Sequence, residues 1–209
     1  MNSLLILGAG GHAKVVAETA ITVGRWDRIA FLDDRHPALG EVLNLPVVGR
    51  FSDASAFRGT YSNAVVALGN NGSRIGWLRT LEAYGYTLPT LVHSKAYVSP
   101  YAVLGVGTVV FAQAAVNAEA RLGCGVIVNT GATVDHDCFI GDGVHVGPGA
   151  HLAGEVRVGA YSCIGIGAVV KQQTVIGEGV TVGAGAVVVN AVPEGVTVAG
   201  VPARILKRA

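Results

Sequence analysis

The sequence of 209 residues is poor in charge and in aromatic side chains: Asp, Glu, Lys and Arg together make 14%, and Phe, Trp and Tyr 6%. Little charge beside 30 glycines argues against a helical enzyme and for a sheet-rich chain with many tight turns. Basic clusters are missing and the net charge is only +1, which disfavours nucleic acid and anionic membrane as partners. No uninterrupted apolar run approaches the roughly 20 residues that span a bilayer, although 51% of the chain is hydrophobic. The apolar residues recur instead at regular spacing, as a buried core requires. Met1 to Leu7 is apolar without a basic flank, and it runs into Gly8-Ala9-Gly10-Gly11-His12-Ala13-Lys14, which is not a small-residue cleavage site. No signal peptide is expected, and the location read from this is cytoplasmic. Cys124, Cys138 and Cys163 form no CxxC pair and are odd in number, which fits reduced thiols.

What is present is a repeat of six. Stepping by six from Val98 reaches Leu104, Val110 and Val116, and every further step to Val188 lands on Val, Ile or Leu. The register that starts at Ala102 and passes Thr108 and Ala114 holds a small or slim residue at every step to Val192. The residue after the aliphatic is Gly at 105, 123, 141, 147, 159, 165, 177 and 183. Six is neither the helical period nor plain alternation. It describes a short strand and a turn, three of which close a triangular coil. Each aliphatic then faces inward and stacks on its counterpart about 4.8 Å away along the axis. The small residue fits a narrow corner, and glycine is expected to supply backbone freedom at the turns.

This half of the chain resembles the hexapeptide-repeat acyltransferases, whose pattern is aliphatic-Gly-x-x-small-x. The resemblance implies a left-handed parallel β-helix, a homotrimer, and acetyl-CoA lying in the cleft between neighbouring helices.

The first 92 residues read differently. Leu4 to Leu7 is a strand, followed by the turn Gly8-Ala9-Gly10-Gly11-His12 and a helix from Ala13 to Val23. Arg28 to Leu32 is a second strand ending at Asp33-Asp34, and Ala64 to Leu68 a third, ending at Gly69-Asn70-Asn71-Gly72. A helix from Ser73 to Tyr84 and a strand from Leu88 to Val92 follow. Strand, glycine turn, helix and strand make a Rossmann-like βαβ domain with a parallel sheet. Gly8, Gly10 and Ala13 match a dinucleotide fingerprint and Asp33 stands where an acid would meet a ribose, but the segment is half the size of a two-lobed NAD domain. The alternatives are glycines that merely allow a tight turn, and a nucleotide-sugar site with phosphates near Gly10-Gly11 and acids near the nucleoside.

A GAGGH turn, a strand ending in Asp-Asp, a Gly-Asn-Asn loop and then hexads together resemble the sialic acid O-acetyltransferase NeuD group. That group includes bacterial N-acetyltransferases of UDP-4-amino-sugars and of GDP-perosamine. The resemblance covers essentially the whole chain, as residues 1–92 for the nucleotide sugar and 93–209 for the β-helix with a CoA-capping tail. It implies N-acetylation of a nucleotide-linked 4-amino-sugar for bacterial surface glycan synthesis, with acetyl-CoA as co-substrate and no metal.

Acetyl transfer from a thioester needs a base, a stabilised carbonyl oxygen and aligned substrates. Of His136, His145 and His151 in the repeat, His136 lies in the segment resembling the family's base, with Asp137 next to it as orienter. Consecutive strand residues face opposite ways, so their contact requires a corner; Asp135 is the fallback orienter. The resemblance gives His145 a positioning role and makes the Gly154 N–H an oxyanion donor, while His151 matches no family position. For the nucleotide sugar it points to Gly10, Gly11, His12, Asp33, Asp34, Arg35 and Asn129. For CoA it points to Gly165, Ile166, Gly167, Gly183 and Ala184, with Pro202 and Arg204 in the tail Gly200-Val201-Pro202-Ala203-Arg204. Three other readings stand beside this one: O-acetylation of sialic acid or another sugar hydroxyl, a zinc enzyme of the γ-carbonic anhydrase type, and a non-catalytic scaffold. The zinc reading needs three converging histidines, and His145 and His151 fall on different faces of a six-residue repeat.

Overall fold

The computed structural model describes residues 2–208, with the side chains of residues 207 and 208 left out. The chain divides into two compact units, Met1–Ser94 and Lys95–Ala209.

In the first unit, β1 (Ser3–Leu7) pairs in parallel with β2 (Arg28–Leu32) on one side and β5 (Asn63–Val66) on the other. All five residues of β1 are buried, as a parallel strand covered on both faces demands. Beyond β2 lies β4 (Leu45–Gly49), which forms a hairpin with β3 (Glu41–Val42). The sheet order is therefore β3-β4-β2-β1-β5. The first helix, α1 (Gly11–Val23), buries Ala13, Val16, Ala17 and Ala20, the spacing of one helical face. It stops at Gly24, whose left-handed backbone (φ +69°) lets its N–H reach the carbonyls of Ala20 and Ile21. The second helix, α2 (Asn71–Ala83), starts at Asn70, whose side chain accepts from the Ser73 N–H at 2.8 Å.

Two expectations for this unit change. The strand expected over 88–92 is only Leu91–Val92, and the five-stranded sheet does not contain it; Pro89 removes a donor and disfavours strand pairing there. The hairpin at 41–49 went unread, because its Leu43-Asn44 turn (φ +53° and +59°) lacks the glycine that marks such turns.

The second unit is a left-handed parallel β-helix of two-residue strands. One coil takes eighteen residues: Ala115 pairs with Thr133, and Thr133 with His151. Three walls result. The first carries Thr133–Val134 and His151–Leu152, the second Phe139–Ile140 and Arg157–Val158, the third His145–Val146 and Cys163–Ile164. The aliphatic register is buried from Val110 to Val188, with no member more than 4% exposed, and the small register beside it is closed from Thr108 to Ala186. Hydroxyls in that narrow register bond across coils: Thr108 Oγ1 donates to the Gly123 carbonyl at 2.9 Å, and Ser162 Oγ to that of Gly177 at 2.8 Å. At the C-terminal end, Val196–Ala199 pairs with the strand at 181–182 and then with Arg204–Arg208.

The glycines after the aliphatic residues do not act as the repeat suggested. None of them has a positive φ. They are needed because coils stack tightly there: a Cβ on Gly141 would lie 2.6 Å from the Ala160 nitrogen, and one on Gly159 would collide with Glu178. Backbone freedom is instead needed two residues later, where φ is near +60° at every corner from residue 107 to 185. Gly159→Ala is therefore expected to lower stability by about 1–3 kcal/mol through overpacking. Gly179→Ala, at φ +64° with no neighbour within 4 Å, should lose only about 1 kcal/mol. Denaturation midpoints of the two variants check this, and an equal loss would show that stacking imposes no extra demand.

Candidate active site

The corners set the site. On the edge between the second and third walls the left-handed residue is Gly107, Gly125, Gly143 and Gly179, interrupted by Tyr161; between the third and first it is Gly131, Gly149, Gly167 and Gly185, preceded by Gln113. Between the first and second walls the same positions hold Glu119, Asp137, Glu155 and Gln173. A side chain in this conformation costs roughly 1 kcal/mol or more relative to glycine. This one edge keeps side chains, most of them acidic, where the other two mostly dispense with them.

His136 sits on that edge, and the left-handed backbone of Asp137 swings its carboxylate beside the imidazole of its sequence neighbour. The His136 Nδ1–H donates to Asp137 Oδ2 at 2.8 Å, leaving Nε2 with its lone pair. Asp135 does not contact the ring; its Oδ1 accepts from the His136 N–H at 2.8 Å and from Asn117 Nδ2 at 2.8 Å. These bonds hold the Asp135 carboxyl below the usual range, the one from Asn117 most. The hydrogen bond to Asp137, above all, holds the His136 imidazolium above the ordinary histidine range, with Asp135, Asp137 and Glu155 adding to it through charge.

One coil on, Gly154 takes the place of a side chain against the ring. A Cβ there would lie 2.5 Å from His136 Nε2, so only glycine leaves that nitrogen accessible. Beside the edge, along the second wall, a groove of about 740 Å³ is lined by Asp137, Cys138, Phe139, Glu155, Arg121 and Arg157, among others. The nearby Cys138 occupies the small register, and its Sγ contacts the Ala153 carbonyl at 3.2 Å; burial pushes its thiol up to about 11.

The remaining expected residues lie elsewhere on the prism. His145 is on the third wall, where Asn129 Nδ2 approaches its Nε2 at 3.0 Å. Asn129 Oδ1 accepts from the Thr130 N–H at 2.8 Å, which fixes the amide. Its Nδ2 therefore donates, and His145 Nε2 is the acceptor. His151 is on the first wall, against Thr133 Oγ1 at 2.9 Å. Ile166, Gly167 and Ala184 line the edge between the third and first walls. Ile166 is 59% exposed, and a Cβ on Gly167 would meet nothing within 4 Å. Gly165 and Gly183 are stacking glycines: a Cβ on them would lie 2.6 Å from the Val182 carbonyl oxygen and 2.9 Å from Ala199 Cβ. Pro202 and Arg204 lie in the tail, where Arg204 borders a pocket of about 300 Å³. One chain thus unites His136, Asp137 and Gly154, and separately Asn129 and His145; the second group borders the expected coenzyme edge, where Asn129 stands in the column of Gly165 and Gly183, and the first does not reach it.

In the first unit the order of strands reverses at β1, so a crevice opens beyond the carboxyl ends of β1 and β5. Gly10 and Gly11 stand at the start of α1 with open space where side chains would be, and His12 lies half-buried in its first turn. Asp33 is committed inside the protein. Its Oδ2 accepts from the Ala9 N–H at 2.9 Å and from Arg35 Nη2 at 2.9 Å, and its Oδ1 from Arg35 Nε at 2.7 Å. The Arg35 guanidinium foremost lowers Asp33 to about 2. Asp34 Oδ1 accepts from the Phe51 N–H at 3.1 Å. Asp33 therefore braces the turn from inside, while Asp34, tied to the Phe51 N–H, and the Arg35 side chain, 59% exposed, both reach solvent.

The family description PglD N-terminal domain matches residues 3–81, and bacterial transferase hexapeptide (six repeats) matches residues 137–172. Among solved structures, the acetyltransferase domain of PglB from Neisseria gonorrhoeae in complex with acetyl coenzyme A is 49% identical. The match covers 99% of this chain and 100% of that one, with a TM-score of 0.95. PerB from Caulobacter crescentus, in complex with CoA and GDP-perosamine, is 40% identical over 99% of this chain and 98% of its own, with a TM-score of 0.94. WeeI from Acinetobacter baumannii is 29% identical over 99% and 100% of the two chains, with a TM-score of 0.90. Comparison with curated proteins gives no match.

Two measurements test the corner chemistry. Glu119→Gly and Asp137→Gly should leave stability unchanged or raise it by up to about 1 kcal/mol, while only Asp137→Gly lowers turnover, by about tenfold or more. A loss of stability in both would remove the strain reading. If the neutral ring is the base, kcat/KM should rise with pH through a limb above 6.5, the ordinary histidine value. Asp137→Asn removes the main cause of the raised value, so the limb should move to lower pH; an unmoved limb would mean that His136 does not set it.

Proposed function

Because the chain belongs to the family of nucleotide-sugar acetyltransferases that join a PglD N-terminal domain to bacterial transferase hexapeptide repeats, we propose that it moves the acetyl group of acetyl-CoA onto the amine of a nucleotide-linked 4-amino-sugar. The observation that carries this is the His136–Asp137 pair at 2.8 Å on the one edge that keeps side chains in left-handed corners, with Gly154 clearing Nε2.

Acetyl-CoA supplies the activated acetyl group as a thioester. As the sugar amine attacks the thioester carbonyl, His136 Nε2 accepts the proton that the nitrogen loses and Asp137 stabilises the imidazolium so formed; the C–S bond then breaks, and the CoA thiolate takes the proton and leaves as the free thiol. The Gly154 N–H, which meets no acceptor among the described residues, is the donor for the carbonyl oxygen. His145, fixed in place by Asn129, orients the sugar. The open edge at Ile166, Gly167 and Ala184 suits the pantetheine arm, and Arg204 the phosphates. In the first unit, Gly10, Gly11, His12 and Arg35 receive the diphosphate and nucleoside at the mouth of the crevice.

The scattering of these groups over different edges supports a homotrimer in which the histidine edge of one copy meets the coenzyme edge of the next. His136 and Asp137 are each 55% exposed in the single chain, more open than acyl transfer favours, and a neighbouring copy would shield them. Acetyl-CoA and nucleotide sugars are intracellular metabolites, which supports the cytoplasm as the place of action and surface glycan assembly as the use of the product. No helix among the described residues is long and apolar enough to cross a membrane.

The test is thiol release from acetyl-CoA with UDP-, GDP- and dTDP-linked 4-amino-sugars, CMP-sialate and free sialate. Release with an amino-sugar nucleotide is expected, and release with sialate alone would replace the amine by a hydroxyl acceptor. His136→Ala should lower turnover about a hundredfold or more with the assembly intact. Co-expressing His136→Ala with Ile166→Glu should restore activity to about a quarter of wild type, since about three quarters of randomly assembled trimers are mixed and each of these keeps one intact junction of three. No restoration would place the whole site in one chain.

A further inference from the structure

Arg74 is the largest fully buried side chain of the described protein, 1% exposed on the first turn of α2. Its Nη1 donates to the Leu68 carbonyl at 2.9 Å and to that of Gly69 at 3.3 Å, and its Nη2 to Asn71 Oδ1 at 2.8 Å. Its own N–H donates to the Asn70 carbonyl at 2.9 Å. These acceptors belong to residues 68–71, the loop that leaves the carboxyl end of β5. Stability alone gives little reason for this choice. Taking a guanidinium out of water costs several kcal/mol before its bonds return anything, and a leucine or methionine would pack in the same space.

The loop it grips is one lip of the crevice at the strand-order reversal. The other lip is the turn from Gly8 to Gly11. The two lie side by side, since Leu7 pairs with Val66, and a Cβ on Gly8 would stand 2.9 Å from the Ala67 carbonyl oxygen. A lip that receives a diphosphate must not present carbonyl oxygens to it, because their partial negative charge repels the phosphates. Arg74 turns the Leu68 and Gly69 oxygens toward itself. The space beside Gly69 is left open, with nothing within 4 Å of where its Cβ would be.

We propose that Arg74 is a positioning residue for the nucleotide-sugar substrate: from inside the domain it withdraws the carbonyls of residues 68 and 69 from the crevice and adds positive potential behind it. The proposal rests on the nucleotide-sugar reading above. It concerns a residue that would not touch the substrate.

Arg74→Lys keeps the charge and loses the fork whose Nη1 serves both carbonyls while Nη2 holds Asn71 Oδ1; Arg74→Met keeps the bulk and loses both charge and fork. Steady-state kinetics with varied amino-sugar nucleotide and varied acetyl-CoA, together with the thermal midpoint of each variant, decide the matter. The KM for the nucleotide sugar is expected to rise about tenfold or more in Arg74→Met and less in Arg74→Lys. The KM for acetyl-CoA should stay at its wild-type value in both. Titration with the free nucleoside diphosphate should show the same order of weakening. The idea is overturned if the nucleotide-sugar KM is unchanged in a folded variant, or if both KM values rise together. It is also overturned if neither variant folds, since the arginine then serves the fold alone. A wild-type protein that uses no amino-sugar nucleotide would sink the functional reading itself, whereas active wild type with an unaltered Arg74→Met sinks only the role of Arg74.

Discussion

A coil that must close in eighteen residues turns a corner every six, and each corner forces one residue into the left-handed region of backbone space. That constraint organises the second unit. It sets the aliphatic column, because the corner places the residue three earlier on an inward face. It sets the small column next to it, because the turn leaves no room for bulk. It sets the stacking glycines as well, since flat corners let adjacent coils approach until a Cβ at Gly105 would collide with the backbone of Gly123. Each coil buries only part of its apolar surface, so the aliphatic columns are stable as a stack and not as single turns.

The same constraint shows where the molecule accepts a loss for the sake of chemistry. A corner is cheapest as glycine, and two edges of the prism mostly take that option. The third holds Glu119, Asp137, Glu155 and Gln173, side chains that the fold does not need there. Asp137 has an evident use, because only a left-handed residue lets two consecutive side chains meet as His136 and Asp137 do. Glu155 adds its charge to the imidazole, and Gln173 Nε2 holds the Glu155 carboxylate at 3.1 Å. The chain keeps side chains on this edge at the expense of backbone comfort, a trade commonly found at active sites.

The architecture was legible because burial has a period, and a period survives without any knowledge of distance. Val98 to Val188 announced the prism, and the pairing of His136 with Asp137 followed once a corner was assumed. The roles of the glycines were not legible. Freedom of φ and absence of a Cβ are both satisfied by the same letter, and only stacking distances separate Gly159 from Gly179. In the first unit, Asp33 looked like a nucleoside ligand because it ends a strand, yet three N–H groups from Arg35 and one from Ala9 already fill its oxygens. Arg74 carried no signal at all: an arginine in an amphipathic helix reads as a solvated residue until its burial is known. Counting residues modulo eighteen does place His145 and Ile166 away from His136.

The environment of Cys138 bears on how the acetyl group travels. A thiol two residues from the base is the obvious candidate for an acyl-enzyme, and a raised histidine could in principle draw its proton. Here the sulfur faces the interior, leans on the Ala153 carbonyl and is pushed by burial up to about 11, so the thiolate is scarce where His136 titrates. A buried sulfur would also have to leave its register to reach a thioester outside the prism, opening a cavity in the small column. The geometry therefore offers His136 no protein nucleophile to activate. Direct transfer without an acyl-enzyme is the route this geometry leaves open.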